Sequence, residues 1–400
     1  MPTPHDTPPT PDSTDSTTHP SDRDSQGEPI QDALPGFIAS KSKGETGSGN
    51  YQRNAERVIT QWAGWQADRG VYSFDDLDIR SMREYARYLT QRVRAGGIAA
   101  STAHNYYAII RAFLTWCVRE ELLDDNPAAK RRAEEELPDK SNGTKKQPEQ
   151  FWSPRERREI MAFVNQRAHD AIDDRGFDAI EEARDRALVA LLAYSGVRGA
   201  EVFSAPGDSR RNGLTWADVD LDAGILIVLG KSQEREPVQL PPQAREPLGR
   251  YREMLSPPTP EWPVFPTRSA PTLYKTARQG LRDQGYSESE IDDLLDEYDT
   301  DTLIREYELV PPSLTTTGAR SVMKRLCAEA NFEVAGDSEY LTLHGARRGL
   351  GETLYREHSP AAAQRALRHK SPETTSRAYA HIEASDLAEQ VGDVLDDVDR

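Results

Sequence analysis

Cysteine is nearly absent from this chain: Cys117 and Cys327 are the only two in 400 residues. Each lies inside an apolar helical pattern, so two reduced core residues are expected rather than a bridge, and two are too few for a zinc site. Long hydrophobic runs are missing as well. No stretch approaches the roughly 18 apolar residues that cross a membrane, and Met1-Pro-Thr-Pro-His-Asp lacks the apolar segment of a secretory signal. A soluble, cytoplasmic protein with no membrane partner is expected. No nucleotide-binding glycine loop and no metal-ligand cluster stands out, so no cofactor and no metal are expected. Hydrophobic content of 36% and a mean hydropathy of −0.75 are low, which implies polar tails or inserts diluting ordinary cores. A chain of this length exceeds one ordinary core, so two domains plus tails are the starting expectation.

The net charge of −17 argues at first against a nucleic-acid partner. Its distribution reverses that. Residues 1–50 carry 3 basic and 8 acidic side chains, residues 283–308 carry 1 and 11, and residues 386–400 carry 1 and 6. Outside these three stretches the chain is at +3. The acid is segregated into tails and one insert, and the working domains are close to neutral. Lysine is scarce, 10 against 40 arginines, while Asp is abundant. This pattern reads as an adaptation to high salt, in the manner of an archaeal, halophilic-type protein, where like-charge repulsion is screened.

Residues 1–48 are rich in Pro, Ser, Thr, Asp and Gly and read as a disordered tail. A helical domain is expected over 49–132. Val58, Ile59, Trp62 and Trp65 share one helical face, and a second helix runs from Ile79 to Arg94 with Met82, Tyr85, Ala86 and Leu89 inward. A third opens at Ser101 or Thr102 and carries Tyr106, Ile109, Ile110, Phe113, Leu114 and Cys117 as its apolar stripe, and Asn126-Pro127 closes the bundle. Residues 133–150 read as a polar linker. The second domain, 151–385, starts at Ser153 as N-cap with Pro154 and Glu156 following. It is mostly helical with one β excursion: strands at Leu214–Val219 and Ile225–Leu229, a turn at Gly230-Lys231-Ser232, and a return at Pro237–Leu240. Residues 283–308 are an acidic insertion with Ile291, Leu294, Leu295 and Tyr298 at helical spacing. The fold class is thus mainly α with a small β-sheet.

Four local patterns carry chemistry. Tyr194-Ser-Gly-Val-Arg-Gly-Ala-Glu201 puts Arg198 just after a helix break at Gly196, where a guanidinium projects into a cleft and Glu201 can lock it. Alone, it would be a surface pair worth little. His344-Gly-Ala-Arg347 places an imidazole and a guanidinium on one helical face; Arg348 points elsewhere and is read as structural or phosphate-contacting. Leu367-Arg-His369 precedes a helix capped by Ser371 and Pro372 that carries Tyr379, a residue type more often found at the rim of a core. Lys231 sits at the hairpin tip, where a solvated turn charge is the ordinary explanation.

Together these pieces resemble the tyrosine recombinase (phage integrase) family. Its signature is an Arg in a Gly-Leu-Arg-x-x-Glu-like box, a Lys on a β-hairpin, a His-x-x-Arg box, a Leu-Gly-His-like box and a Tyr. Gly196-Val-Arg198-Gly-Ala-Glu201, Gly230-Lys231, His344-x-x-Arg347, Leu367-Arg-His369 and Tyr379 follow that order. The resemblance covers roughly residues 50–385. It departs at Gly349, where the family often has Thr, and at Arg368, which replaces the usual Gly.

The resemblance implies an N-terminal core-binding, SAM-like helical domain and a C-terminal catalytic domain, closing as a C-shaped clamp on double-stranded DNA. It also implies Tyr379 as nucleophile, Arg198 and Arg347 as phosphate clamps, Lys231 as acid to the leaving oxygen, His344 as base and His369 as a phosphate donor, with no metal or ATP. Homo-tetramers on paired sites follow, tied by a C-terminal segment. Residues 386–400, reached through Leu387, Val391 and Leu395, are either that segment or an acidic tail. Two alternatives share the scaffold: a type IB topoisomerase relaxing DNA, and a DNA-binding accessory protein.

Overall fold

The computed structural model describes residues 29–41, 50–139, 149–230, 233–336, 338–380 and 382. The chain divides into two compact units, with the change near residue 143.

The first unit is helical. Helices α1 (Leu34–Ser40), α2 (Asn50–Ala67), α3 (Ile79–Arg94), α4 (Ala100–Arg119) and the short α5 (Arg131–Glu134) surround one core. Trp62, Met82, Leu89, Ile110, Phe113 and Cys117 are fully buried in it. Asp78 caps α3 by accepting from the Ser81 N–H, which fixes where the helix starts. On α4 the structure buries Tyr107, whose hydroxyl donates to the Ala128 carbonyl, and leaves the expected Tyr106 only partly covered. The helix starts at Ala100, with Ala99 and no side-chain cap, rather than at Ser101 or Thr102.

Two expected boundaries move. Within the stretch read as tail, Ile30, Ala33 and Phe37 are buried, and Phe37 meets Phe113 edge to face at 5.3 Å. The apolar residues of 30–38 fall at helical spacing, enough to dock a short helix despite the polar sequence around it. Within the stretch read as linker, Ala133 is buried, Glu136 accepts from Arg83 and Arg87, and the Pro138 carbonyl meets His104 Nε2 at 2.6 Å. Residues 131–138 therefore pack with the first unit; residues 1–28, 42–49 and 140–148 lie outside the described residues.

The second unit is built on α7 (Ile180–Ser195), which follows α6 (Pro154–Arg175) and is buried on nearly every side. Its second half, from Ala187 to Ala193, is apolar on every side and buried, as a core helix must be, while its first half carries buried charges that are paired. Next come α8 (Gly199–Val202), the antiparallel meander β1 (Val219–Asp220), β2 (Ile225–Leu229) and β3 (Arg235–Gln239), and α9 (Pro242–Leu255) against α7. The first strand is shorter than expected because Thr215 and Asp218 form a capping box that winds 216–218 into a 3-10 turn. The acidic insertion is ordered: after α10 (Ala270–Asp283), α11 (Glu288–Glu297) and α12 (Thr300–Glu306) bury Ile291, Leu303 and Ile304, while Tyr298 stays exposed. Then follow α13 (Thr316–Ala330), α14 (Leu343–Glu357), α15 (Pro360–Leu367) and a helix α16 over 372–380. Neither cysteine is in a disulfide, and both are buried. Among the described residues no helix is long and apolar enough to cross a membrane.

Candidate active site

Helix α7 stops at Gly196, whose φ of 71° is left-handed and easy only for glycine. The chain then turns through the buried Val197 and starts α8 with Arg198 at its N-cap. Glu201, in the first turn, takes the Arg198 backbone N–H on one oxygen and Arg198 Nη1 on the other, both at 2.7 Å. Its carboxylate is 1% exposed and also accepts from Arg368 Nη2 at 2.7 Å. Burial by itself would raise this carboxyl; the Arg368 hydrogen bond and charge, then those of Arg198, more than offset it and hold it below the usual range.

Helix α14 brings His344 and Arg347. Thr342 caps it by accepting from the Gly345 N–H at 3.0 Å. At Gly349 an added β-carbon would run into the backbone of Trp152, so the segment before α6 lies directly on the helix there. That contact explains why glycine stands where a larger residue resembled the family better. Arg347 is 2% exposed and donates through Nη1 to the Gly196 carbonyl and through Nη2 to the Leu367 carbonyl. It thus ties the break after α7 to the end of α15. Burial first, then Arg198, pushes its pKa down to about 9, which leaves it charged at neutral pH. His344 lies one turn before it but is exposed. Protein crowding around the ring, then the charges of Arg348, Arg347 and Arg198, lower its pKa to about 4. Arg348 pairs with Glu149 at 2.9 Å.

After α15, Arg368 adopts a left-handed conformation and His369 follows. His369 Nδ1 meets the buried Thr375 Oγ1 at 2.9 Å, and its backbone N–H donates to the Gln364 carbonyl at 3.0 Å. Burial, then Arg347, Arg198 and His344, lower its pKa to about 4. Both imidazoles are neutral at pH 7.

Ser371 opens α16 by accepting from the Glu373 N–H at 3.1 Å. Tyr379 lies on the inner face, 1% exposed, between Phe151 and Tyr355 at ring distances of 6.2 and 5.3 Å. Its hydroxyl donates to the Arg348 carbonyl at 3.4 Å, over Gly351, which has no side chain to obstruct it. Burial pushes the phenol up to about 12 against the opposing charge of Arg347.

The charges of Arg198 and Arg347 are felt at both His344 and His369, and that of Arg347 at Tyr379, so these five side chains lie in one neighbourhood. Lys231 lies outside the described residues, but its flank is well held: Arg211 donates to the carbonyls of Leu229 and Gly230 at 2.9 and 2.7 Å. Arg211, Thr375 and Glu236 were not singled out by sequence reasoning. Their partners are 6 to 132 residues away, and no local pattern announces them. Among the described residues no group of three His, Cys, Asp or Glu side chains is placed to hold a metal ion.

Two family models match this chain: the phage integrase family over residues 153–386 and the phage integrase SAM-like domain over 37–133. It is similar to the tyrosine recombinase XerC of Xylella fastidiosa (strain M23), 28% identical over 222 residues, which are 54% of this chain and 61% of the relative. The tyrosine recombinase XerC of Xanthomonas campestris pv. campestris (strain B100) is 24% identical over 229 residues, 57% of this chain and 59% of the relative. The matches thus span about three fifths of these relatives' lengths. In fold it is similar to the Tn1549 transposon integrase in complex with a circular intermediate DNA, with a TM-score of 0.56 at 15% identity over 90% of this chain and 99% of that one. It is also similar to the XerH site-specific recombinase bound to a palindromic difH substrate, with a TM-score of 0.50 at 14% identity over 90% and 92%.

Proposed function

The chain belongs to the phage integrase family, and on that premise we propose that it cuts and rejoins double-stranded DNA at specific sites. The observation that supports this reading is the proximity of these groups in the second unit: the charges of Arg198 and Arg347 act on both neutral imidazoles, and that of Arg347 on the phenol.

In the reaction, the Tyr379 oxygen attacks the DNA phosphorus, the bond to the 5′-oxygen breaks, and the chain becomes joined to the 3′-phosphate. The proton leaving the phenol passes to His344, whose ring is neutral before the phosphate binds and whose basicity rises once the phosphate offsets the neighbouring arginine charges. The departing 5′-oxygen takes a proton from Lys231. A second strand's 5′-hydroxyl reverses both steps, so the phosphodiester energy is conserved and no nucleotide is consumed. Arg198 and Arg347 face the extra negative charge of the five-coordinate phosphorus with planar, permanently charged donors. Two of the five N–H groups of Arg347 hold carbonyls, and the rest remain for the phosphate. His369 adds a further donor. The Tyr379 hydroxyl must exchange the Arg348 carbonyl for the phosphate before it can react.

The same reading makes the first unit a DNA-binding domain and the assembly a tetramer on two sites. Residues 386–400, which would link neighbours, lie outside the described residues. The acidic surplus and the preference for arginine over lysine support a protein that folds and works at high salt.

Trapping on a nicked suicide substrate in molar KCl tests the proposal. A protein–DNA adduct that survives denaturation is expected from the natural chain and none from Tyr379→Phe. Site-specific DNA binding without any adduct would contradict it.

A further inference from the structure

We propose that Arg368 is a positioning residue of the cleavage site, a role that rests on the recombinase reading. Its backbone has φ 53° and ψ 45°, a conformation that penalises any residue with a β-carbon and suits glycine. Backbone geometry alone would therefore favour glycine at this helix end. What arginine adds is its side chain, only 12% exposed, which forks between two carboxylates. Nη2 donates to Glu201 at 2.7 Å and Nη1 to Glu236 at 3.0 Å.

Each carboxylate belongs to a different piece of the site. Glu201 holds Arg198 by two hydrogen bonds. Glu236 stands on β3 opposite Val228, and its carboxylate lies so close to Gly230 that a side chain there would displace it. Gly230 is the last residue before Lys231. His369 is the next residue after Arg368 itself. One guanidinium thus joins the Arg198 box, the root of the hairpin and the His369 loop, with Arg211 bracing the hairpin through the carbonyls of Leu229 and Gly230. A planar fork bridges two carboxylates in a preset geometry, whereas an ammonium can reach both only as a point charge on a flexible stem. Arg368 is largely enclosed, so its loss is expected to alter the placement of Arg198 and the hairpin rather than the hold on DNA.

The test compares the natural chain, Arg368→Gly and Arg368→Lys for DNA affinity and for single-turnover cleavage of the suicide substrate. Glycine relieves the backbone, so Arg368→Gly should stay folded and bind DNA within about twofold of the natural chain, yet cleave roughly 10-fold more slowly. Arg368→Lys, which keeps the charge but loses the fork, should recover only part of the rate. Affinity and rate falling together in both variants would overturn the role and mark the residue as merely structural. Adducts formed at equal rates by all three chains would also overturn it. A natural chain that binds its site and forms no adduct would instead overturn the recombinase reading and this role with it.

Discussion

Arginine gathers at two places in the second unit, with opposite outcomes. On the far side of α7, Asp185 is fully enclosed and accepts from Arg167, Arg184 and Arg325 at 2.8, 2.6 and 2.5 Å. Glu181, Glu182 and Glu329 complete that network, so cations and anions nearly match. At the end of α7, among the described residues, Arg198 and Arg368 donate to Glu201, Arg368 also to Glu236, and Arg347 donates to backbone carbonyls rather than to a carboxylate. The same side chain is structural where its charge is balanced, and on the proposed reading it serves as an anion site where it is not. The shortfall of negative charge at the second place is what a DNA phosphate would supply.

Breaking the balanced cluster should cost the most. Asp185→Ala leaves three arginines facing one another around a buried hole, and a loss of about 3–5 kcal/mol in stability is expected. A denaturant melt would read it; a midpoint close to that of the natural chain would mean the network is incidental. Arg198→Ala tests the other cluster, and here the cost should fall on the reaction. Cleavage should slow by about 10²–10³-fold, while thermal stability changes little because Arg198 is partly exposed and Glu201 keeps Arg368. A large drop in melting temperature with cleavage intact would reverse the assignment of the two clusters.

The smallest effect sharpens the comparison through pH. His344 and His369 have folded-state pKa values of about 4, below the ordinary 6.5, first because the surrounding protein desolvates them and then because arginine charges lie nearby. As pH falls through 6.5 the unfolded chain binds protons that the folded one refuses, so stability is complete above that pH and declines toward pH 4. A melting temperature measured across this range should fall, and less steeply in His369→Gln. An unchanged slope in that variant would mean the imidazole is not held neutral.

Much of this site was legible because its signals are local. Ser153 with Glu156, Ser371 with Pro372, and the break at Gly196 are short-range devices, and each begins or ends a helix where its pattern indicates. Arg198 with Glu201 is legible for the same reason. Contacts between distant segments were not. Arg368 meets Glu201 and Glu236 across 167 and 132 residues, and its sequence shows only a departure from glycine. Docking of residues 30–37 was hidden by the polar composition around them, because three apolar side chains at helical spacing were outweighed by an average. Tyr106 packs against the core at the edge of its stripe as read, but the more deeply buried Tyr107, about 100° further round the helix, was not legible. The strand read at Leu214–Val219 alternates correctly but carries a capping pair, Thr215 and Asp218, that bends it first.

The central claim is that Tyr379 reaches a phosphate held by the unbalanced arginines, and digestion of the trapped adduct tests it most directly. Cleavage after Arg377 releases a peptide beginning Ala378-Tyr379. Mass spectrometry should find the nucleotide on that tyrosine, attached through its 3′-phosphate. A nucleotide on any other residue, or attached through a 5′-phosphate, would contradict the account.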